Sequence, residues 1–296
     1  MLKNGRVPGM TQYPDREMHD MFAVFCYVET YANTYLEQLH MTTRELHSQN
    51  ILHYFSVIAD KYDFMNAILS FGLYRFWNRR AIAGAGIKRG ERVLDVCGGT
   101  GALSVLAAEA AGPEGSVVLY DFCPNMIRAG KRRYVRSRTS AEIHFVCGDA
   151  LNLAAGNKLF DAALIGFGLR NLSDMEQGVR EILRVLKPGG RLVCLEFSHP
   201  RSAWFRPVYE WYCFHVIPFA GKWIVGSREA YLYLPRSIKA FPHAEQLGRM
   251  LRSWGLQNVY HRLLCNGIAA VHVGSKRDRA KDTQAGQETR EQKGRS

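Results

Sequence analysis

The chain has 296 residues, 39 Lys and Arg against 27 Asp and Glu, a formal charge of +12, 47% apolar residues and 11% aromatics, so one large domain with additions is expected. Seven cysteines, an odd number with no close metal-ligand spacing, argue against a zinc site or a disulfide framework and for a reduced compartment. The opening residues lack the apolar run of a secretory signal, and no stretch reaches about 18 uninterrupted apolar residues, which argues against a membrane span.

Residues 1–40 read as an extension, with 22–39 forming one aromatic-rich helix that packs locally, mediates association, or reflects a start assigned upstream of the natural one. From 44 to 83 the pattern is helical, punctuated by Gly72, and such helices cover a sheet edge or the mouth of a site. The core then alternates. Strand 91–97, helix 102–111, strand 116–121 and a helix opening at Pro124 come first. Strands 142–147 and 160–165 follow, then helix 173–186, a Lys187-Pro188-Gly189-Gly190 stop, and strand 191–197. Strands separated by helical patterns of about 10–15 residues predict βαβ units and a parallel sheet. The stretch 198–240 breaks that rhythm with aromatics and prolines, and forms an insertion or lid. Helix 243–254 and strands 258–264 and 267–273 complete the domain, the last two as an antiparallel pair. The expected division is 1–40, 41–274, and a disordered tail at 275–296.

The segment E91-R-V-L-D-V-C-G-G-T-G-A102 is a strand running into a glycine turn and a helix, the arrangement that presents backbone N–H groups to a ligand. It carries neither the phosphate-loop nor the dinucleotide spacing. In a parallel sheet ligands bind beyond the carboxyl ends of the strands, which places Asp95, Gly98, Gly99, Thr100, Gly101, Asp121, Asp149, Ala150 and Gly166 around one site. Asp121 can take both hydroxyls of a ribose or cap the following helix. Asp149 with Ala150 can frame a purine or serve only loop solubility and capping. Asp95 can orient the turn or hold an ammonium group, and Thr100 can bond the ligand or cap its own helix. A ring of carboxylates without a phosphate motif suits a zwitterionic adenosine ligand, S-adenosylmethionine, and no metal is expected.

Arg128, Lys131, Arg132, Arg133, Arg136 and Arg138 form a basic helix without an acid, either a solvated face or a contact for an anionic membrane. Nucleic acid is not expected, because no aromatic stacking run accompanies these charges.

Y62-D-F-M-N66, L94-D-V-C-G-G-T-G101, F167-G-L-R-N171, L183-R-V-L-K-P-G-G-R-L192, L195-E-F197, Phe214-His215 with Pro218, and Phe241-Pro242 together resemble the ubiquinone/menaquinone biosynthesis C-methyltransferases. The resemblance implies a class I methyltransferase fold: α/β, Rossmann-like, three layers around a mostly parallel seven-stranded sheet with its last strand antiparallel. It implies methyl transfer from S-adenosylmethionine to a ring carbon of a polyprenylated quinol, demethylmenaquinol being favoured. Cofactor contacts would fall on Thr100, Asp121, Asp149, Ala150 and Gly166. Arg170 would position a water, stabilise a quinolate or belong to a structural salt link, and Glu196 would orient Arg170 or the substrate. His199 and His215 are candidates for proton transfer or plain packing residues. Phe167, Asn171, Tyr209 and Tyr233 are expected to line the acceptor site, although the tyrosines suit a core equally well. The aromatic stretch 204–225 offers a path for an isoprenoid tail or merely covers the sheet. A cytoplasmic protein, peripheral on the inner face of a membrane and able to form a homodimer, is the corresponding expectation.

The sequence departs from the family pattern at Ala102, where an acid is usual, at Gly166, where serine is usual, and in the loop after Asp149. A methyltransferase of a soluble phenolic or polyketide metabolite, and a non-catalytic quinone-binding scaffold, are the alternative functions.

Overall fold

The computed structural model describes residues 42–137, 139, 141–225 and 227–278. The expected leader helix at 22–39, Arg138 and the tail from 279 onward lie outside the described residues. The chain divides into two units, 1–49 and 50–296. Of the first, only 42–49 is described. There Thr42 and Glu45 form a reciprocal cap, the Glu45 N–H donating to Thr42 Oγ1 (3.2 Å) and the Thr42 N–H to Glu45 Oε2 (2.6 Å).

This cap opens α1 (Thr43–Ile58), after which α2 (Tyr62–Leu69) and α3 (Leu73–Ala85) precede the sheet. The helical run expected from 44 to 83 is broken twice, by a 3-10 turn at Ala59–Lys61 and at Gly72, whose φ of +78° suits glycine. The alternating core is β1 (Arg92–Val96), α4 (Ala102–Ala111), β2 (Ser116–Asp121), α5 (Pro124–Arg136), β3 (Glu142–Cys147), β4 (Phe160–Gly166), α6 (Met175–Val185) and β5 (Leu186–Phe197). The insertion is helical: α7 (Phe205–Trp211), a π-helical segment Tyr212–Val216, α8 (Ile217–Val225) and α9 (Arg228–Ala240). The chain then runs through α10 (Ala244–Ser253), β6 (Leu256–Leu264) and β7 (Ala269–Lys276).

The seven strands lie in the order β3-β2-β1-β4-β5-β7-β6, all parallel except β7, which runs antiparallel to both neighbours. The fold class read from the sequence is the one observed. Burial explains the nearly continuous apolar strands. Val93, Leu164 and Leu195 face one helical layer, while Leu94, Ile165 and Cys194 face the other. A third apolar cluster, with Met65, Met126, Cys213, Ile217 and Tyr231, lies beneath the lid helices.

Two boundaries differ from expectation. Leu186 pairs with Phe160 and Arg191 with Ala162, so the Lys187–Gly190 turn is looped out within a strand instead of preceding it. Ser275 and Lys276, assigned by composition to the tail, are the end of β7, where they pair with Gln257 and Leu256.

Candidate active site

Between β1 and β4 the order of strands reverses direction, and there the carboxyl ends open a crevice. The turn leaving β1 is held by its own backbone: the Gly98 N–H donates to Tyr120 O (3.1 Å) and the Gly101 N–H to Gly98 O (2.8 Å). A Cβ at Gly98 would lie 2.7 Å from Leu119 Cγ and 3.1 Å from the Asp95 carbonyl, so the strand-to-helix passage requires glycine. Gly99 and Gly101 adopt φ of +55° and +77°.

Asp121 accepts from the Gly99 N–H (2.9 Å) and the Cys123 N–H (2.8 Å), tying the turn to the start of α5. Each oxygen keeps a further lone pair for a ligand hydroxyl. Burial raises its carboxyl to about 6. Asp95 is more enclosed. Its Oδ2 accepts from Ser104 Oγ (2.6 Å), its buried Oδ1 has no partner among the described residues, and burial raises it to about 7. An orphaned carboxylate oxygen beside a ligand-ready turn fits the ammonium group of an amino-acid ligand.

The Thr100 hydroxyl does not cap its own helix, whose N-cap is Gly101. That group donates to Asp63 Oδ1 (2.7 Å) on α2, and Asp63 Oδ2 pairs with Arg133 of α5. Asp149 is exposed and accepts from the Leu151 N–H (2.9 Å) in a local turn, while Ala150 is buried beside it. At Gly166 a Cβ would come within 2.5 Å of Leu103 Cδ1, so Leu103 fills the space a side chain would take.

Beside this turn lies a cavity of about 400 Å³ whose walls are mainly aromatic, including Tyr54, Tyr74, Trp77, Phe167, Phe197 and Tyr212. Phe167 turns into it with φ of +55°, its ring 4.7 Å from that of Phe197. Among the described residues Arg170 is the one charged residue in the lining. Its Nη1 donates to the Phe167 carbonyl (2.6 Å) and to Glu196 Oε2 (2.8 Å), and its backbone N–H donates to Glu196 Oε1 (3.2 Å). The side chains of this pair are only 5% and 1% exposed. The guanidinium carbon stands 5.2 Å from the centre of the Phe197 ring, and the buried Nε has no partner among the described residues. Asn171 donates to the Phe167 carbonyl (3.1 Å) and accepts from the Tyr233 hydroxyl (3.0 Å). Tyr209 and Tyr233 both line the cavity, and burial raises their phenols above the ordinary value.

The two histidines lie elsewhere. His215 is exposed, stacked on Trp211 with its Nδ1 3.0 Å from the Trp211 carbonyl, while Tyr209 and Tyr212 of the same helical run line the cavity. His199 is half-buried in a separate small pocket, its ring 4.0 Å from that of His243, and burial, then the charge of His243, lowers its pKa. Among the described residues no histidine or carboxylate lines the aromatic cavity.

Sequence reasoning missed Asp63, Tyr54, Tyr74 and Trp77, all supplied by the helices before the sheet. Asp63, inside the Y62-D-F-M-N66 motif, and Trp77, which itself matches the family pattern, had a signal in the sequence; Tyr54 and Tyr74 had none. Two cations of the basic helix are engaged within the fold, Arg132 with Asp60 and Arg133 with Asp63. Among the described residues no helix is long and apolar enough to cross a membrane.

A sheet in this order, with its antiparallel seventh strand and carboxylate-lined turn, defines the Rossmann-like methyltransferase fold. It is similar to a solved Thermotoga maritima SAM-dependent methyltransferase described as a possible histamine N-methyltransferase (TM-score 0.53, 18% identity, 76% of this chain and 99% of that one). The solved [4+2]-cyclase SpnF is also similar (TM-score 0.55, 17% identity, 78% and 96%), so the fold by itself does not specify the reaction. Residues 43–276 match the ubiE/COQ5 methyltransferase family, and the chain belongs to that family. It is 41% identical over 229 residues to the ubiquinone/menaquinone biosynthesis C-methyltransferase of Pseudomonas fluorescens (strain SBW25), a match covering 77% of this chain and 90% of the relative. The protein of the same description from Azotobacter vinelandii is 40% identical over the same coverage.

Proposed function

We propose that this protein is an S-adenosylmethionine-dependent C-methyltransferase acting on a polyprenylated quinol, with the demethylated naphthoquinol as favoured acceptor. The observation that carries the reading is the aromatic cavity with one buried guanidinium, beside a glycine turn flanked by buried carboxylates. Bound at that turn, S-adenosylmethionine supplies a methyl group already activated on a sulfonium. Asp121 takes the ribose hydroxyls, Asp95 the ammonium group, and Asp149 with Ala150 the adenine edge, while Gly166 contributes backbone only.

Arg170 stabilises the negative charge on the quinol oxygen next to the reacting carbon, with its unpartnered Nε as the available donor. A guanidinium stays protonated and is no base. Glu196 holds it in place from below. Among the described residues no histidine or carboxylate is in the lining, so Arg170 stabilises the quinolate while the hydroxyl proton, and then the ring proton displaced by the methyl group, pass to water at the cavity mouth; Phe167, Phe197, Tyr209 and Tyr233 position the ring system. A prenylated acceptor also implies work at a membrane surface.

Purified protein incubated with methyl-labelled S-adenosylmethionine and a panel of demethylmenaquinol, a methoxy-benzoquinol and soluble phenols tests the reading. Label should appear on a quinol ring carbon. Transfer confined to soluble phenols would replace the acceptor, and absence of cofactor binding by calorimetry would leave only a scaffold.

A further inference from the structure

The segments Phe205–Trp211, Tyr212–Val216 and Ile217–Val225 follow one another without a break, with right-handed helical dihedrals at both junctions (Tyr212 φ −57°, ψ −48°; Ile217 φ −60°, ψ −49°). Residues 205–225 therefore form one rod about 31 Å long, at roughly 1.5 Å per residue. Its inner side, with Phe205, Tyr209, Tyr212 and Ile217, walls the aromatic cavity. Its outer side is also apolar. Trp204, Val208, Trp211, Phe219 and Trp223 recur at helical spacing along one stripe, and each leaves at least 56% of its surface exposed. Single exposed apolar residues are ordinary, but a row of four along one helix, with a fifth at its N-cap, is not. Phe71, 80% exposed and part of the cavity lining, adds apolar surface at the cavity rim, where its ring lies 5.8 Å from that of Tyr212.

We propose that this stripe is a lipid-docking surface that lays the rod in the headgroup region of a bilayer, with the cavity mouth opening toward the acyl chains. The inference rests on the prenylated acceptor of the proposed function. Three features of the molecule select lipid as the occupant. First, tryptophan and phenylalanine on a helix whose charged residues are Arg206, Glu210 and Lys222, two of the three basic, form the composition that partitions into interfaces. Second, Val208 and Phe71 are both exposed and part of the cavity lining, so apolar surface runs unbroken from pocket to exterior. Third, a cavity of about 400 Å³ encloses one compact ring system. A tail of several isoprene units must leave past that rim, and water is a poor solvent for it. The docking face is thus distinct from the basic helix α5, whose Arg132 and Arg133 are engaged with Asp60 and Asp63.

The test uses the full-length protein and vesicles of phosphatidylcholine with phosphatidylglycerol. Trp211→Ser combined with Phe219→Ser changes only exposed side chains outside the cavity lining. Partitioning should fall about tenfold for each aromatic removed. Arg128→Gln with Arg136→Gln should leave partitioning unchanged at about 1 M salt, where charges are screened beyond roughly 3 Å. Brominated acyl chains should quench the tryptophan fluorescence of the wild type. The serine variant should retain turnover of a short quinol lacking the tail and lose turnover of a long-tailed quinol presented in vesicles. Equal partitioning of wild type and serine variant, or binding without bromine quenching, overturns the docking surface. So does a wild type that methylates the long-tailed quinol in detergent yet never binds vesicles, an outcome that leaves the proposed function standing. Stripe-dependent vesicle binding with no methylation of any quinol does the reverse.

Discussion

Replacing Glu196 by Gln probes the link between the buried ion pair and the proposed chemistry. Glu196 accepts from the Arg170 backbone N–H (3.2 Å), the Arg170 Nη1 (2.8 Å) and the Phe197 N–H (3.1 Å), with both partners of the pair almost fully enclosed. Gln retains one carbonyl acceptor but turns an amide donor toward donors that previously met a carboxylate. It also leaves the guanidinium without its counter-charge. Breaking a buried pair from one side costs about 3–5 kcal/mol, and the retained acceptor puts Glu196→Gln near the lower end. For a domain of this size that corresponds to a fall of about 6–12 °C in Tm. Losing the alignment of one oxyanion donor should lower methyl transfer by about 10²- to 10³-fold. Thermal unfolding by circular dichroism reads the first effect and labelled methyl transfer the second. The double variant Arg170→Met with Glu196→Leu removes both charges and should regain most of the lost stability while remaining inactive. A single variant whose Tm lies within about 2 °C of the wild type would refute the energetic reasoning. Full activity in the double variant would remove Arg170 from the chemistry.

Asp95 and Asp121 are raised by burial to about 7 and about 6, so the folded protein binds more protons than the unfolded chain above about pH 4. Through these two groups stability is highest below that pH and is lost as pH rises through their folded values. A ligand that donates to both carboxylates favours their ionised forms. Its binding should therefore release protons near pH 6.5 and weaken by up to about tenfold per pH unit per carboxylate at lower pH. Calorimetry in two buffers of different ionisation heat checks this, and identical heats would refute it. Gly98→Ala forces a Cβ against Leu119 Cγ at 2.7 Å and the Asp95 carbonyl at 3.1 Å, and should cost about 1–3 kcal/mol in urea unfolding, with a loss of cofactor affinity. Gly166→Ser meets only the end of the Leu103 side chain and should cost about 1 kcal/mol, the scale of one rotamer adjustment; a loss as large as that of Gly98→Ala would show that the backbone at Gly166 has no room either.

Alternation of apolar strands with helices, the glycine turn between Val96 and Ala102, and the acids at strand ends were legible in the sequence, because each follows from local periodicity and from where a parallel sheet places its loops. The Phe167–Asn171 and Leu195–Phe197 motifs also marked the right strand ends, and the structure brings Arg170 to Glu196 across them. Pairings between distant segments were not legible. Thr100 meets Asp63, 37 residues earlier, only because α2 folds back over the turn. The inward or outward turn of a lid side chain likewise depends on helical phase. Within one π-helical segment Tyr212 lines the cavity and His215 is exposed to solvent, so the nominated histidine is separated from Arg170. Composition identified an aromatic lid in 198–240, but only tertiary packing sorted its aromatics into an inner face that lines a cavity and an outer face left bare. The sequence thus determined the sheet and the ligand turn, which are local and periodic. Tertiary structure decided the aromatic cavity and its charge partners, which depend on how several helices pack together.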